Sequence, residues 1–407
     1  MALKLHNTLS GELEEFKPIN KGEVKIYHCG PTVYNFAHLG NLRAYVSADI
    51  MRRTFELTGF KVKQVINITD IGHLTSDSDS GDDKMIKGLK RENLPATLEG
   101  LSKLADKYEE AFKRDLEILN IEKPHQMPRA TSCLPAEISI IEKLVKKGFT
   151  YETKSGVYFD TSKLSDYGKL GGLTPLDESK TRVDSDGKKN PRDFVLWKFS
   201  DDEKLSFPSP WGVGFPGWHI ECSAMSREFL GQPFDIHTGG TDHIAIHHNN
   251  EIAQSESAYG KPLANYWLHI AFLTMESERS SSGIKMAKAG GGFIILADLV
   301  DRGHSPLAYR YLLLLSHYRT QTKFTWEALQ AAENAYNKLS KLFFELPQGG
   351  SVDLAYKAKF IEKLENDFNT PQALAVVWTL AKDREVKPED KKATLTEFDK
   401  VLGLRLK

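Results

Sequence analysis

Residues 24–68 carry the pattern that most restricts what this chain can become. VKIYH (24–28) is a short buried-strand signal that runs into Cys29-Gly30-Pro31-Thr32, a turn signal. A helical pattern follows from about Leu39 to Leu57 and stops at Gly59, and KVKQVINI (61–68) returns to strand character. Strand, turn, helix, strand predicts a βαβ unit with parallel strands, a right-handed crossover and a ligand site at the strand ends. The expected fold class is α/β.

The same half of the pattern recurs later. PFDIH (233–237) reads as a strand, His247 to Ala258 as a helix and Trp267 to Met275 as another strand, so a second half-sheet resumes near Gly217. Between the halves lie a polar loop at 74–84, helices near 97–120 and 134–147, a hairpin at YETKSGVYFD and a polar run from Asp177 to Arg192. Residues 277–292 (SERSSSGIKMAKAGGG) are Ser-, Gly- and Lys-rich and predict a mobile loop. From Pro306 onward the periodicity is helical, over 306–317, 325–346, 353–367, 371–382 and 389–402. The division expected is 1–120 for the first half of a catalytic domain, 121–215 for an insertion, 216–305 for the second half and 306–407 for a helical bundle.

Charge narrows little, because a formal net charge of -1 neither supports nor excludes a local basic face for RNA. Three cysteines, Cys29, Cys133 and Cys222, are too few and too odd for a disulfide framework. The polar, acidic start lacks a signal-peptide pattern and no apolar run is long enough to span a bilayer, so a cytoplasmic chain with no membrane association is expected.

Two constellations carry chemistry. His247 and Glu251, four apart in HHNNE, share one helix face, and with Cys29 and Cys222 they make a workable zinc set. From spacing alone the cysteines read more readily as small buried hydrophobes, and His237, His243 and His248 as structural histidines. The second is His38-Leu39-Gly40-Asn41, placed where the first strand hands over to its helix. Free backbone N–H groups and the positive helix end meet a phosphate there, and Gly40 lets a base approach closely. Lys285 and Lys288 of KMAKA lie where lysines can cover a pyrophosphate, although lysines in serine-rich loops are usually just solvated.

Together these pieces resemble the cysteinyl-tRNA synthetases, along nearly the whole chain. The motifs are CGPTVYNFAHLGN, NITDIGHL, NPRDFVLWK, GWHIECSAMS, DIHTGGTDHIAIHHNNEIAQSE, NYWLH, PLAYRYLLLLSHYR and DFNTPQAL, in the family's order. The resemblance implies a class I synthetase Rossmann-type sheet with an inserted connective domain and a C-terminal helical bundle of the tRNA stem-contact type. It also implies cysteine–tRNA ligase activity, forming AMP and pyrophosphate. The ligands implied are one Zn²⁺ per chain on Cys29, Cys222, His247 and Glu251, with ATP and Mg²⁺ as substrate. His38, Asn41, Lys285 and Lys288 fall on catalytic motif positions, with His38, Gly40, Asn41 and Lys288 contacting ATP. Gly30, Thr69, Trp218, His237 and Asp242 fall on amino-acid pocket positions, Asp242 as partner for the ammonium group; a core tryptophan is the equal alternative for Trp218. Partners implied are tRNA(Cys), L-cysteine and ATP, with a monomer expected.

Three departures stand out. Asn41 replaces the last histidine of the family's HIGH motif, KMAKA loses both serines of KMSKS, and the expected anticodon-binding domain beyond Lys407 is missing or reduced. They keep two other readings in view: a ligase joining activated cysteine to an amino sugar, and a non-catalytic synthetase-like binding protein. No role is expected for Cys133.

Overall fold

The structure, a computed structural model, describes residues 3–72, 83–172, 187–277, 280–285 and 293–406, the side chains of 276, 277 and 280–285 excepted. The chain opens with an antiparallel hairpin, β1 (Lys4–Asn7) and β2 (Glu12–Glu15). Next come β3 (Glu23–His28), α1 (Leu39–Leu57) and β4 (Lys61–Ile66), the βαβ unit read from the sequence. Helices α2 (Lys84–Arg91), α3 (Leu98–Ile118) and α4 (Leu134–Lys146) lead to an antiparallel sheet of β5 (Thr150–Glu152), β6 (Gly156–Phe159), β7 (Phe194–Phe199) and β8 (Gly214–Pro216). The second half follows as α5 (Trp218–Leu230), β9 (Phe234–Gly240), α6 (His247–Tyr259) and β10 (Ala264–Ile270). After β11 (Leu273–Ser277) and β12 (Ser280–Lys285) come α7 (Leu296–Asp301), α8 (Pro306–Leu314), β13 (Thr322–Phe324) and α9 (Trp326–Glu345). The last helices are α10 (Leu354–Glu365), α11 (Thr370–Lys382) and α12 (Pro388–Leu402).

The central sheet has the order β10-β9-β3-β4, and all its neighbours are parallel. From β3 the chain crosses over α1 outward to β4; from β9 it crosses over α6 outward to β10. The two halves therefore wind away from each other, and the crevice at the carboxyl ends of β3 and β9 is the topological switch point where open α/β sheets bind ligands.

Helix α1 connects this crevice to the rest of the molecule. His38 caps its N-terminus reciprocally with Asn41, as the side chain of each accepts the other's backbone N–H. Its apolar residues Leu42, Val46 and Ile50 join one buried cluster with Leu104 and Phe112 of α3, Leu312 of α8 and Phe360, Val377 and Phe398 of the last helices. Each such side chain contributes about 1.5–3 kcal/mol on burial. Among the described residues no helix is long and apolar enough to cross a membrane.

Several expectations need correction. The stretch read as one strand, Trp267 to Met275, is divided: β10 ends at Ile270 in the parallel sheet, and β11 pairs with β12 and β13 in another. An apolar run crossing two residues of coil looks continuous to a period-two test. Residues 280–285, expected within a mobile loop, form β12, while 286–292 with Lys288 lie outside the described residues. Helix α5 was not anticipated. It is buried on nearly every side (His219, Ile220, Glu221, Cys222, Ser223, Ala224), so it has no amphipathic stripe to betray it. The β1–β2 hairpin and α2 were also unforeseen.

Candidate functional site

Cys29 immediately follows β3, and its backbone N–H donates to the carbonyl of Thr238 on β9, which fixes it over the switch point. Opposite stands α6, a helix with an unusual profile. His247, His248, Asn249, Asn250, Glu251, Gln254 and Ser255 are all buried. Polar side chains are seldom buried without a partner or a task. The four-residue spacing turns His247 and Glu251 inward together. On α5 the same spacing places Trp218 and Cys222 on one face, and Trp218 stacks on the ring of His247 at 4.0 Å and 30°.

Cys29, Cys222, His247 and Glu251 converge so that their ligand atoms all lie within 4.8 Å of one another, and every one of the four is buried. A tetrahedral zinc with bonds of about 2.0–2.3 Å needs ligand atoms roughly 3.3–3.8 Å apart, so small side-chain adjustments suffice. His247 Nε2 lies 3.1 Å from Glu251 Oε1, yet it makes no well-directed hydrogen bond among the described residues. Its other nitrogen, Nδ1, is 2.8 Å from Nδ1 of His219 and is thereby oriented.

The electrostatics point the same way. Burial pushes the Cys29 thiol well up, and the neighbouring Cys222 adds to it. Cys222 and Glu251 are likewise raised, first by burial. Burial lowers His247 to about 3 against the opposing pull of Glu251. Without a cation, burial disfavours the thiolate, carboxylate and imidazolium forms alike. A divalent ion reverses that preference by stabilising the thiolate and carboxylate forms. The residues present fit a metal.

The segments that follow β3 and β4 pack closely beside the cluster. The Gly30 N–H donates to Asn67 Oδ1 at 2.7 Å, and a Cβ on Gly30 would sit 1.5 Å from the Asn67 carbonyl oxygen, so only glycine fits. Cys222 Sγ is 3.8 Å from the same Asn67 Oδ1. Thr69, buried, donates its hydroxyl to Glu221 at 2.7 Å. His237 on β9 is fully buried, with Nε2 2.9 Å from Glu251 Oε2. Asp242 is half-buried in the turn after β9, and a Cβ on Gly240 would lie 2.3 Å from its Oδ1. Trp218 is also half-buried, with Lys84 Nζ 6.0 Å from its ring centre.

The HLGN turn at the start of α1 packs against Phe293 and Ile294. The half-buried ring of His38 stacks on Phe293 at 4.8 Å, and the Leu39 N–H donates to the Ile294 carbonyl at 2.9 Å. The segment directly after KMAKAGGG is thus stitched to the HLGN turn. Gly40 occupies the first helical turn beside exposed Asn41. Lys285 ends β12 opposite Thr274; its side chain and Lys288 lie outside the described residues.

Reading the sequence missed His219 and Asn67, the groups that brace the cluster. The signal for His219 was its place beside Cys222 in GWHIEC, legible only once α5 is seen as a helix. Cys133 is buried in the turn before α4, and burial raises its thiol to about 12, with Glu137 as the next contributor.

Comparison with known proteins adds an independent line. Residues 15–334 match the family described as tRNA synthetases class I (C) catalytic domain, and residues 359–407 match the DALR domain. A protein of Burkholderia lata named cysteine–tRNA ligase 1 is 48% identical over 411 residues, covering 100% of this chain and 85% of that protein. Cysteine–tRNA ligase of Treponema denticola is 42% identical, covering 100% of this chain and 87% of its own length. Among solved structures, methionyl-tRNA synthetase of Mycobacterium tuberculosis with methionyl-adenylate aligns with a TM-score of 0.62 over 94% of this chain and 90% of that one. At 15% identity that likeness concerns the fold alone.

Proposed function

The chain belongs to the cysteine–tRNA ligase family of class I tRNA synthetases, and from that premise we propose that Cys29, Cys222, His247 and Glu251 hold one zinc ion facing the thiol of L-cysteine. Cysteine is activated with ATP and Mg²⁺ to cysteinyl-adenylate and transferred to the 3′ end of tRNA(Cys). The observation that carries the metal half of this reading is the burial of two thiols, an imidazole and a carboxylate within 4.8 Å at the switch point. When bound, the zinc supplies a soft acceptor that favours a thiolate over an alcohol oxygen, which separates cysteine from serine without editing.

The protein's own residues do the rest by positioning. Trp218 flanks the pocket, Gly30 and Thr69 line it, His237 steadies Glu251, and Asp242 takes the substrate ammonium. The substrate carboxylate then attacks the α-phosphorus of ATP in line, forming the mixed anhydride while the bond to pyrophosphate breaks. No side-chain nucleophile takes part. His38, Gly40 and Asn41 hold the nucleotide at the helix N-terminus, and the Asn41 side-chain amide is a donor in place of a histidine. Lys285 and Lys288 neutralise charge that develops on the leaving pyrophosphate. A cytoplasmic monomer, divided at residues 120, 215 and 305, completes the proposal.

The test is cysteine-dependent ATP–pyrophosphate exchange on purified protein with its metal content measured, followed by charging of a tRNA(Cys) transcript. Exchange and charging are expected at one zinc per chain. Exchange without charging would remove the tRNA half, and full exchange in metal-free protein would remove the zinc half.

A further inference from the structure

The cluster holds more ligands than one ion needs. A second set, Cys29, His237, His248 and Glu251, also brings its ligand atoms within 4.8 Å of one another, again with all four residues buried. It shares Cys29 and Glu251 with the first set but replaces Cys222 and His247 by two other imidazoles.

The details are those of a built seat. Glu251 Oε1 lies 3.1 Å from His247 Nε2 and 3.9 Å from both His248 Nε2 and Cys29 Sγ, and its Oε2 lies 2.9 Å from His237 Nε2. Cys29 Sγ lies 3.4 Å from His248 Nε2. His248 is braced from behind, with Nδ1 2.8 Å from His269 Nε2 and His269 Nδ1 2.8 Å from Thr8 Oγ1. Such a relay fixes which nitrogen faces an ion. His237 is held flat on Trp267 at 4.4 Å and 13°. Gly239 leaves the space that the His248 ring fills, since a Cβ there would stand 2.7 Å from its Cε1 and 2.9 Å from its Nε2.

We propose that Cys29, His237, His248 and Glu251 form a second, overlapping seat for a borderline divalent cation such as Zn²⁺ or Co²⁺. It is exclusive with the first seat because both use Cys29 and Glu251, and it retains the ion when the Cys222 thiolate is lost. The inference rests on the reading of the cluster as a metal centre. One thiolate, two imidazoles and a carboxylate remain a competent donor set for these ions.

The experiment uses the full chain loaded anaerobically with Co²⁺, with metal content and the sulfur-to-cobalt charge-transfer band as readouts. Wild type should hold one Co²⁺ with a two-thiolate band. Cys222→Ser should still hold one Co²⁺, with the band reduced to about half. In that background His247→Gln should leave the metal in place, whereas His237→Gln or His248→Gln should weaken its binding at least tenfold. A Cys222→Ser chain that takes no cobalt while wild type does, or a Cys222→Ser/His247→Gln chain that loses it, would overturn the second seat alone. A wild type that binds no cobalt would instead overturn the metal centre itself, and the second seat with it.

Discussion

Two buried polar clusters sit in the same architecture, and they are satisfied in opposite ways. On α1, Asp49 accepts from Arg310 Nη2 at 2.5 Å and from Arg53 Nε at 2.8 Å, and its other oxygen takes the Glu122 N–H at 2.9 Å. Arg310 also donates from Nε to the carbonyl of Leu402 and from Nη1 to those of Leu119 and Asn120. Even the backbone makes way for it: Gly403 adopts φ +63° where a Cβ would lie 2.5 Å from Arg310 Nη2. Opposite charges and matched donors close that knot from within. The metal cluster has thiols, imidazoles and a carboxylate and no cationic side chain among its candidate ligands, so a cation from outside supplies the charge that it lacks. A self-satisfied buried network ties the helical bundle to α1; an incomplete one is where chemistry is prepared.

That contrast can be attacked from both sides. The largest effect is expected from Glu251→Ala, which removes a ligand common to both seats. Metal should be lost, and cysteine-dependent exchange should fall on the order of 10⁴-fold, about 5.5 kcal/mol. Elemental analysis beside exchange kinetics reads this, and a variant that keeps its metal would erase the distinction between the clusters. Arg310→Met should leave Asp49 with Arg53 as its one cationic partner among the described residues, take a donor from the carbonyls of Leu402 and Leu119, and cost about 3–5 kcal/mol in denaturant unfolding, while the folded fraction keeps its metal. Lys288→Ala should lower the exchange kcat by about 10²–10³ and leave both the cysteine KM and metal content alone; equal loss in KM and kcat would reassign it to ground-state binding. Smallest is His219→Gln, which removes the imidazole behind His247. Metal affinity should fall about 10–100-fold, measured by competition with a chelator, with thermal stability of the metal-free protein nearly unchanged.

What the sequence made legible follows from periodicity. Helix α1 is legible to both of its ends, Leu39 and Leu57, because a capping turn and Gly59 bracket it. The His247–Glu251 pair was legible because a four-residue spacing has one meaning on a helix. Helix α5 was not, since a segment buried all round shows no period, and with it went His219. The break after Ile270 was hidden for a related reason: pairing partners, rather than local composition, decide which sheet a strand joins. The approach of Cys29 to Cys222 joins residues almost two hundred positions apart, and only the family resemblance reached across that distance.

The most direct measurement is a titration of the cobalt-loaded protein with L-cysteine and, separately, L-serine. Cysteine should strengthen the sulfur-to-cobalt band as a further thiolate joins the ion, and serine should leave it unchanged. An unaltered band at saturating cysteine would contradict the claim that this buried cluster recognises its substrate through the thiol.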